Sequence, residues 1–268
     1  MKALVTGSKG FIGKHLVKSL KKHKDLEIIE ADIKDGIDLT QKDFWSNLEK
    51  VEVIFHLSAV VGVNNFQAEN AERSYINNRR INNNVLNYAK KHDSYILFAS
   101  SSEIYGECNN LDENSDFKIL NSPRGLYSLD KILMEQDLKI NRIRHSSCRL
   151  FNIIGEGQDI DKGVFPKLIY EINNGIRSKV SKDIRTFTSV KDCVKIFVKL
   201  GLKEIEGDYN ISSDETYSIE QLYLMLCAHF NKLPKYDILE KTDIKFRKPN
   251  NQKIKSIYSK FEKLEKIL

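Results

Sequence analysis

Thr6-Gly7-Ser8-Lys9-Gly10-Phe11-Ile12-Gly13 is the stretch that decides the fold. It follows a strand-like opening, Met1-Lys2-Ala3-Leu4-Val5, and runs into a helix-like stretch from Phe11 to Leu20. Strand, glycine turn and helix form the context in which three spaced glycines cradle a pyrophosphate. There Gly7 allows the tight turn, Gly10 lets the backbone approach the phosphates, and Gly13 lets the helix pack closely on the strand. The helix N-terminus offers free N–H groups and the positive end of its dipole to the anion.

Outward from that turn, the first half of the chain alternates short β-branched runs with longer mixed segments. Candidate strands are Lys2–Val5, Glu27–Ala31, Val53–His56, Tyr95–Ala99 and Ser146–Leu150. Candidate helices are Phe11–Lys22, Lys42–Leu48, Ala68–Lys91 and Tyr127–Asn141. Such alternation predicts an α/β fold built on a doubly wound parallel sheet. After Leu150 the pattern loosens, with loop signals at Gly155-Glu156-Gly157 and Gly163. Helices are expected over Phe165–Ile172, Ser189–Leu200 and Ser218–Phe230, the last with Ser218 as cap and Gln221 three residues on. Asp208–Ile211 reads as a short strand. The second half is therefore expected to add a smaller α/β cap interleaved with the last strands. The expected division is 1–153 with 184–212 as the cofactor-binding domain, and 154–183 with 213–268 as the substrate-binding cap. Two long helices on one face, 68–91 and 127–141, suggest a homodimer packed through them.

Composition narrows the class. At 268 residues, 41% hydrophobic and 30% charged, the chain has the profile of a soluble globular protein. A net charge of +6, from 43 basic and 37 acidic residues, is spread over solvated faces. Nucleic-acid binding would want a denser basic stripe with interleaved aromatics. Cys108, Cys148, Cys193 and Cys227 lie far apart and read as reduced thiols of a cytoplasmic protein. The six histidines do not cluster, so no metal is expected. Gly7 breaks the N-terminal apolar run, which reads as a strand and not a signal peptide. No apolar run is long enough to cross a membrane.

Three further features carry chemistry. Asp32 ends the second strand, where a carboxylate can accept from both adenosine ribose hydroxyls and repel a 2′-phosphate. That favours NAD over NADP, although Lys34 nearby weakens the preference. Tyr127-Ser128-Leu129-Asp130-Lys131 places a phenol and an ammonium one helical turn apart on one face. A close ammonium stabilises a phenolate and is expected to lower the tyrosine pKa. With 11 tyrosines, one such spacing is expected by chance. Its position, opening the helix after the fourth strand, gives it weight. Ala99-Ser100-Ser101-Ser102-Glu103-Ile104-Tyr105-Gly106 follows that strand, and hydroxyls at the carboxyl edge of a parallel strand face the ligand crevice.

With these residues in place, the chain resembles the extended short-chain dehydrogenase/reductases, the nucleotide-sugar epimerases and dehydratases, over nearly its whole length. Gly7, Gly10 and Gly13 match the family's cofactor motif, and His56-Leu57-Ser58-Ala59 its third-strand motif. Asn78, ahead of Val85-Leu86-Asn87-Tyr88-Ala89, matches a structural Asn. Ser101, Tyr127 and Lys131 fall on its catalytic triad. Arg149-Leu150-Phe151-Asn152-Ile153-Ile154-Gly155 and Arg185-Thr186-Phe187-Thr188 match later segments, and Tyr209-Asn210-Ile211 follows as in the family.

The resemblance implies a Rossmann-like sheet, NAD as cofactor and a nucleotide-diphosphate sugar as substrate, in cell-surface polysaccharide or sugar-nucleotide metabolism. It implies that Tyr127 removes a sugar hydroxyl proton while hydride passes to nicotinamide C4. Lys131 would hold the nicotinamide ribose and tune Tyr127, and Ser101 would hydrogen-bond the same sugar oxygen. Phe11, Ile12, Leu57, Ser58, Ala59, Asn78 and Ser100 would join the glycines around the cofactor, with Asp38-Leu39 beside the adenine. Ser102, Glu103, Asn152, Phe165, Arg185 and Arg247 would face the substrate.

The chain departs from the pattern at Ser58, at Ile81-Asn82, at Asp130, and in a short stretch from Ile176 to Ile184. A 4,6-dehydratase of the family carries an Asp-Glu pair after the catalytic Ser or Thr, where this chain has Ser102-Glu103. Dehydration then lacks its general acid. Epimerisation needs no such acid, so a UDP-sugar 4-epimerase is the preferred expectation. A UDP-uronic acid decarboxylase and a 4-keto reductase stay open. A non-catalytic NAD-binding regulator on the same fold is the alternative of another class.

Overall fold

The first half of the chain runs β1 (Lys2–Thr6), α1 (Phe11–Leu20), β2 (Glu27–Ala31), α2 (Lys42–Asn47), β3 (Val53–His56), α3 (Ala71–His92), β4 (Tyr95–Ser101), α4 (Arg124–Ile140) and β5 (His145–Leu150). It continues through β6 (Ile153–Ile154), α5 (Val164–Asn173), β7 (Ser178–Ser181), β8 (Ile184–Thr186), β9 (Thr188–Ser189), α6 (Val190–Leu202) and β10 (Gly207–Ile211). The rest is β11 (Thr216–Ser218), α7 (Ile219–His229), β12 (Tyr236–Leu239), β13 (Phe246–Arg247), α8 (Gln252–Lys255) and α9 (Leu264–Ile267). This is a computed structural model. It describes all residues except 62, 68, 107–110, 161, 241–245 and 268, and the side chains of 63, 64, 246 and 247.

Six strands form one sheet in the order β10-β5-β4-β3-β1-β2, and every pairing in it is parallel. Period-two alternation splits its side chains between two layers. Ala3, Val5, Val53, Phe55, Tyr95 and Leu97 enter one apolar cluster with α1 and α6. Leu4, Ile54, Ile96 and Phe98 enter another with α2, α3 and α4. Both faces are covered, as a parallel sheet requires. The doubly wound α/β expectation therefore holds.

Some boundaries move. The long helix starts at Ala71 and not Ala68, and α4 starts at Arg124, one turn ahead of Tyr127. The short strands β6 to β9 and β11 to β13 carry no alternation long enough to show in the sequence. They form three small sheets, β11-β8-β13, β12-β7 and β6-β9. A third apolar cluster lies beneath them, with Phe165, Leu168, Phe187, Leu222 and Leu226. The capping box on α7 is as expected: Ser218 Oγ accepts from Gln221 N at 3.0 Å, and Gln221 Oε1 accepts from Ser218 N at 2.8 Å.

Two buried polar groups tie the sheet to its helices. Arg149 on β5 and Glu135 on α4 are 1% and 0% exposed. Arg149 Nη2 donates to Glu135 Oε2 at 2.8 Å and Nη1 to Tyr105 Oη at 2.8 Å, while Ser100 Oγ donates to Glu135 Oε1 at 2.5 Å. The second is a chain of donors. Thr6 Oγ1 accepts from the amides of Leu57 and Ser58, each at 3.2 Å. Its own hydrogen is thereby directed to His56 Nδ1, 2.8 Å away. His56 Nε2 then donates to Asn82 Oδ1 at 2.9 Å, and Asn82 Nδ2 donates to Asp130 Oδ1 at 2.9 Å. Burial pulls His56 down to about 4, so the ring is neutral, as the chain requires.

Removing one partner of a buried ion pair strands the other charge. Arg149→Met is expected to cost about 3–5 kcal/mol in urea unfolding, and adding Glu135→Leu to recover most of it. Equal losses in the single and double variants would show that the pair contributes no coupling. His56 has a folded pKa below its unfolded value. Its share of stability is present above pH 6.5 and lost as pH falls towards 4. Between pH 7 and 5, His56→Gln is expected to lose about 2 kcal/mol less unfolding free energy than the parent. Equal losses would show that the histidine protonates without unfolding.

Candidate active site

The carboxyl ends of β1, β3, β4 and β5 border one cavity of about 510 Å³, within the range of small-molecule sites. Its floor is the glycine turn. Gly7 takes φ +69°, where a side chain is strained, and its N–H donates to Ala31 O at 2.8 Å. A Cβ on Gly13 would lie 2.0 Å from Gly7 O, so α1 approaches the strand more closely than any side chain permits. α1 has Gly10 at its N-cap and so no side-chain cap, which leaves its first amides free beside the cavity that Gly10, Phe11, Ile12 and Gly13 line.

Asp32 stands at one end of this cavity. It is 7% exposed, and its two carboxylate oxygens accept from the amides of Lys9 and Lys34, both at 2.9 Å. The Lys9 ammonium is drawn away to Glu30 at 2.9 Å. Tyr127 and Lys131 stand at the other end. The Lys131 ammonium donates to Ala99 O at 2.8 Å and lies over the Phe98 ring. It is 5.7 Å from the centroid of the Tyr127 ring.

This arrangement corrects the expected phenol pKa. Burial pushes Tyr127 up, and the hydrogen bond with Ser101 only partly offsets it. Lys131 is not what governs the phenol, because its ammonium is turned to the β4 backbone. Burial also brings Lys131 down to about 8, opposed by Asp130 and Glu135. Both shifts have one cause: in a dry site the charged forms are disfavoured.

Of the residues picked from the sequence, Gly7, Gly10, Phe11, Ile12, Gly13, Asp32, Leu57, Ser58, Ala59, Ser100, Tyr127, Lys131, Asn152 and Phe165 line the cavity. Others stand behind its wall. Ser101 contacts it through Tyr127 and accepts from Glu103 N at 3.2 Å. Ser102 is buried, and Glu103 accepts from Arg124 Nη2 at 2.9 Å. Asn78 brackets the backbone of Val60 with both amide atoms, at 2.7 and 3.1 Å. Asp38 caps Thr40, while Leu39 is buried in the core and its carbonyl accepts from Trp45 Nε1 at 3.0 Å. Arg185 lies on β8 with Asp183 at 3.8 Å, outside the cavity lining. The Arg247 side chain lies outside the described residues, as does Cys108.

Sequence reasoning missed the strap that roofs the glycine turn. Gly157, Gln158, Asp159 and Lys162 line the cavity from above. Lys14 Nζ on α1 donates to Gly157 O at 2.9 Å, and His15 Nε2 lies 3.0 Å from Glu156 O. The only signal was the spacing of Gly155, Gly157 and Gly163, all of which adopt positive φ. Among the described residues no helix is long and apolar enough to cross a membrane, and no group of metal-ligating side chains occurs.

Comparison with known proteins places this geometry in a lineage. The family model for NAD dependent epimerases/dehydratases matches residues 3–212. A GDP-6-deoxy-D-talose 4-dehydrogenase of Aggregatibacter actinomycetemcomitans is 33% identical over 249 residues, covering 85% of this chain and 79% of that one. A putative UDP-glucose 4-epimerase of Methanocaldococcus jannaschii is 28% identical, covering 98% and 91%. The crystal structure of a Bacillus cereus UDP-glucuronic acid 4-epimerase with UDP-glucuronic acid and NAD has the same fold. Its TM-score is 0.89 at 24% identity, covering 100% of this chain and 96% of that one. The glycine turn and its sheet thus fall within the matched span, and the chain belongs to the NAD dependent epimerase/dehydratase family.

Proposed function

We propose that this protein is an NAD-dependent nucleotide-sugar 4-epimerase acting on a UDP-sugar through a 4-keto intermediate. The observation that carries the reading is one continuous cavity with the glycine turn and Asp32 at one end and Tyr127 and Lys131 at the other. The glycine turn Gly7, Gly10 and Gly13 lining the cavity and the uncapped start of α1 fit a pyrophosphate. Asp32 fits a ribose with a free 2′-hydroxyl. NAD, when bound, supplies a hydride acceptor and a positive ring.

The chain's own residues do the rest. Tyr127 takes the proton from the sugar O4 hydroxyl, and its burial makes the phenolate costly until positive charge is near. Ser101 steadies the same oxygen and the phenol. Lys131, anchored on Ala99 O, orients the nicotinamide ribose. Asn152 and Phe165 border the sugar-nucleotide side of the cavity, with Arg185 on β8 and Arg247 of the cap, residues 154–183 and 213–268, as phosphate or ribose contacts. The Glu103–Arg124 ion pair leaves Glu103 engaged rather than poised as an acid, which speaks against dehydration. A 4-keto reductase is the second reading, favoured by the relative at 33% identity, whose name is that of a 4-dehydrogenase.

A homodimer through α3 and α4 is part of the same proposal. Leu126, Leu129 and Leu133 are only partly buried on α4, and Ile140 is 76% exposed. Their spacing makes one apolar stripe.

Cofactor extraction followed by assay on UDP-glucose, UDP-N-acetylglucosamine and GDP-4-keto sugars tests the activity. Interconversion of C4 epimers without net NADH consumption is expected, whereas stoichiometric consumption would select the reductase. Tyr127→Phe should lower turnover by about a thousandfold while retaining NAD; activity within a few fold of the parent would overturn the mechanism. Leu129→Asp with Leu133→Asp should convert a dimer to a monomer in light scattering, and a parent that is already monomeric would refute the interface.

A further inference from the structure

Two departures from the family pattern meet in space. Asn82 on α3 and Asp130 on α4 are 48 residues apart in sequence and 2.9 Å apart in the fold. Asp130 is 0% exposed and immediately precedes Lys131. It is also the terminal acceptor of the donor chain that starts at the Leu57 and Ser58 amides and passes through Thr6, His56 and Asn82. Every link runs in one direction: amide to hydroxyl, hydroxyl to ring, ring to amide oxygen, amide nitrogen to carboxylate. A chain so polarised is best completed by an anion. Its near end is the loop that lines the cavity beside the glycine turn.

The charges around this carboxylate are few. From α3, Arg79 Nη1 lies 4.0 Å from Asp130 Oδ1, but its other terminus donates to Asp137 Oδ2 at 2.6 Å. Asp130 Oδ2 is buried and accepts no hydrogen bond among the described residues. Asp130 and Glu135 on its own helix oppose the downward pull of burial on Lys131, and its charge bears on His56 of β3; among the described residues its ammonium contacts Ala99 O and the Phe98 and Tyr127 rings. Glu135 is already committed to Arg149. Asp130 is therefore shared between the Arg79 guanidinium and the ammonium next to it in the chain, whereas Glu135 is held by Arg149.

We propose that Asp130 is a positioning residue for the reaction: its buried carboxylate ends the donor chain from the 57–58 loop and serves as the counter-charge that keeps Lys131 an ammonium. Serine, the family's usual residue here, could accept from Asn82 but could not supply the charge. Burial raises Asp130 to about 6 and lowers Lys131 to about 8, so the two are charged together between those values. The role rests on the activity proposed above, and the test separates the two.

The full-length protein is labelled with 13C-lysine, and the Lys131 ε-carbon resonance, assigned by its loss in Lys131→Met, is titrated in the parent and in Asp130→Asn. The variant keeps the shape and an acceptor for Asn82 but removes the charge. The Lys131 midpoint is expected to fall by about one pH unit, and the alkaline limb of turnover to fall with it. Asp130→Ser should shift the midpoint in the same direction, which guards against a folding defect peculiar to one variant. A merely structural aspartate would change thermal stability and leave the midpoint in place; that result overturns the proposal. Absence of turnover on every nucleotide sugar would overturn the proposed activity, while the resonance titration still decides the role of Asp130.

Discussion

The contact on which everything else depends is the approach of α1 to the end of β1. A Cβ on Gly13 would sit 2.0 Å from Gly7 O, and one on Gly7 would sit 2.9 Å from Ser58 N. Backbone meets backbone at both places. Because nothing intervenes, the first amides of α1, the end of β1 and the 57–59 loop become one surface. Asp32 reaches it from the next strand by accepting from Lys9 N within the turn itself. The site is therefore a property of how tightly three chain segments close, and side chains add to it only at the edges.

A parallel sheet covered on both faces has little water to offer its polar groups, so each buried one must be met within the protein. The protein does this with two networks that pass between layers. Arg149 and Glu135 join β5 to α4, and through Ser100 they reach the residue before Ser101. The chain from Thr6 to Asp130 joins β1 and β3 to α3 and α4. Both end on α4, close to Lys131. That helix carries Tyr127 and Lys131, and it is held from two directions by polar groups that cannot find partners elsewhere. A buried ion pair contributes little to net stability against a hydrophobic substitute, but it resists misplacement strongly.

Much of this was legible from sequence, and the limits have physical causes. The alternation in Ala3-Leu4-Val5 and Val53-Ile54-Phe55 named the strands because each side chain has a different layer to enter. Asp32, Tyr127 and Lys131 were legible because their distance from the glycine turn along a βαβ path is fixed by strand and helix length. The second half resisted, because β7, β8, β11 and β12 are three or four residues long, too short to express a period. Asn82 and Asp130 each read as an isolated oddity; only the packing of α3 on α4 shows that one explains the other. Arg149 read as part of a segment and not as the partner of Glu135, since β5 and α4 lie side by side only once the sheet closes.

The phenol shows why sequence spacing alone misjudges electrostatics. One helical turn between Tyr127 and Lys131 suggests that the ammonium stabilises the phenolate. The structure gives that ammonium to Ala99 O and leaves the ring 5.7 Å away. Desolvation then works on both groups, raising the phenol and lowering the amine. The phenol is therefore neutral at rest, while the amine, brought down only to about 8, is still an ammonium at neutral pH, and the phenolate becomes accessible only as that positive charge is retained nearby. Retention falls to the acidic groups behind Lys131. Of these, Glu135 is held by Arg149, whereas Asp130 has a donor chain aimed at it and a second oxygen without a hydrogen bond among the described residues. Asp130 thus acts in two opposed ways without lining the cavity: its charge directly raises the phenol, and the same charge opposes loss of the Lys131 proton.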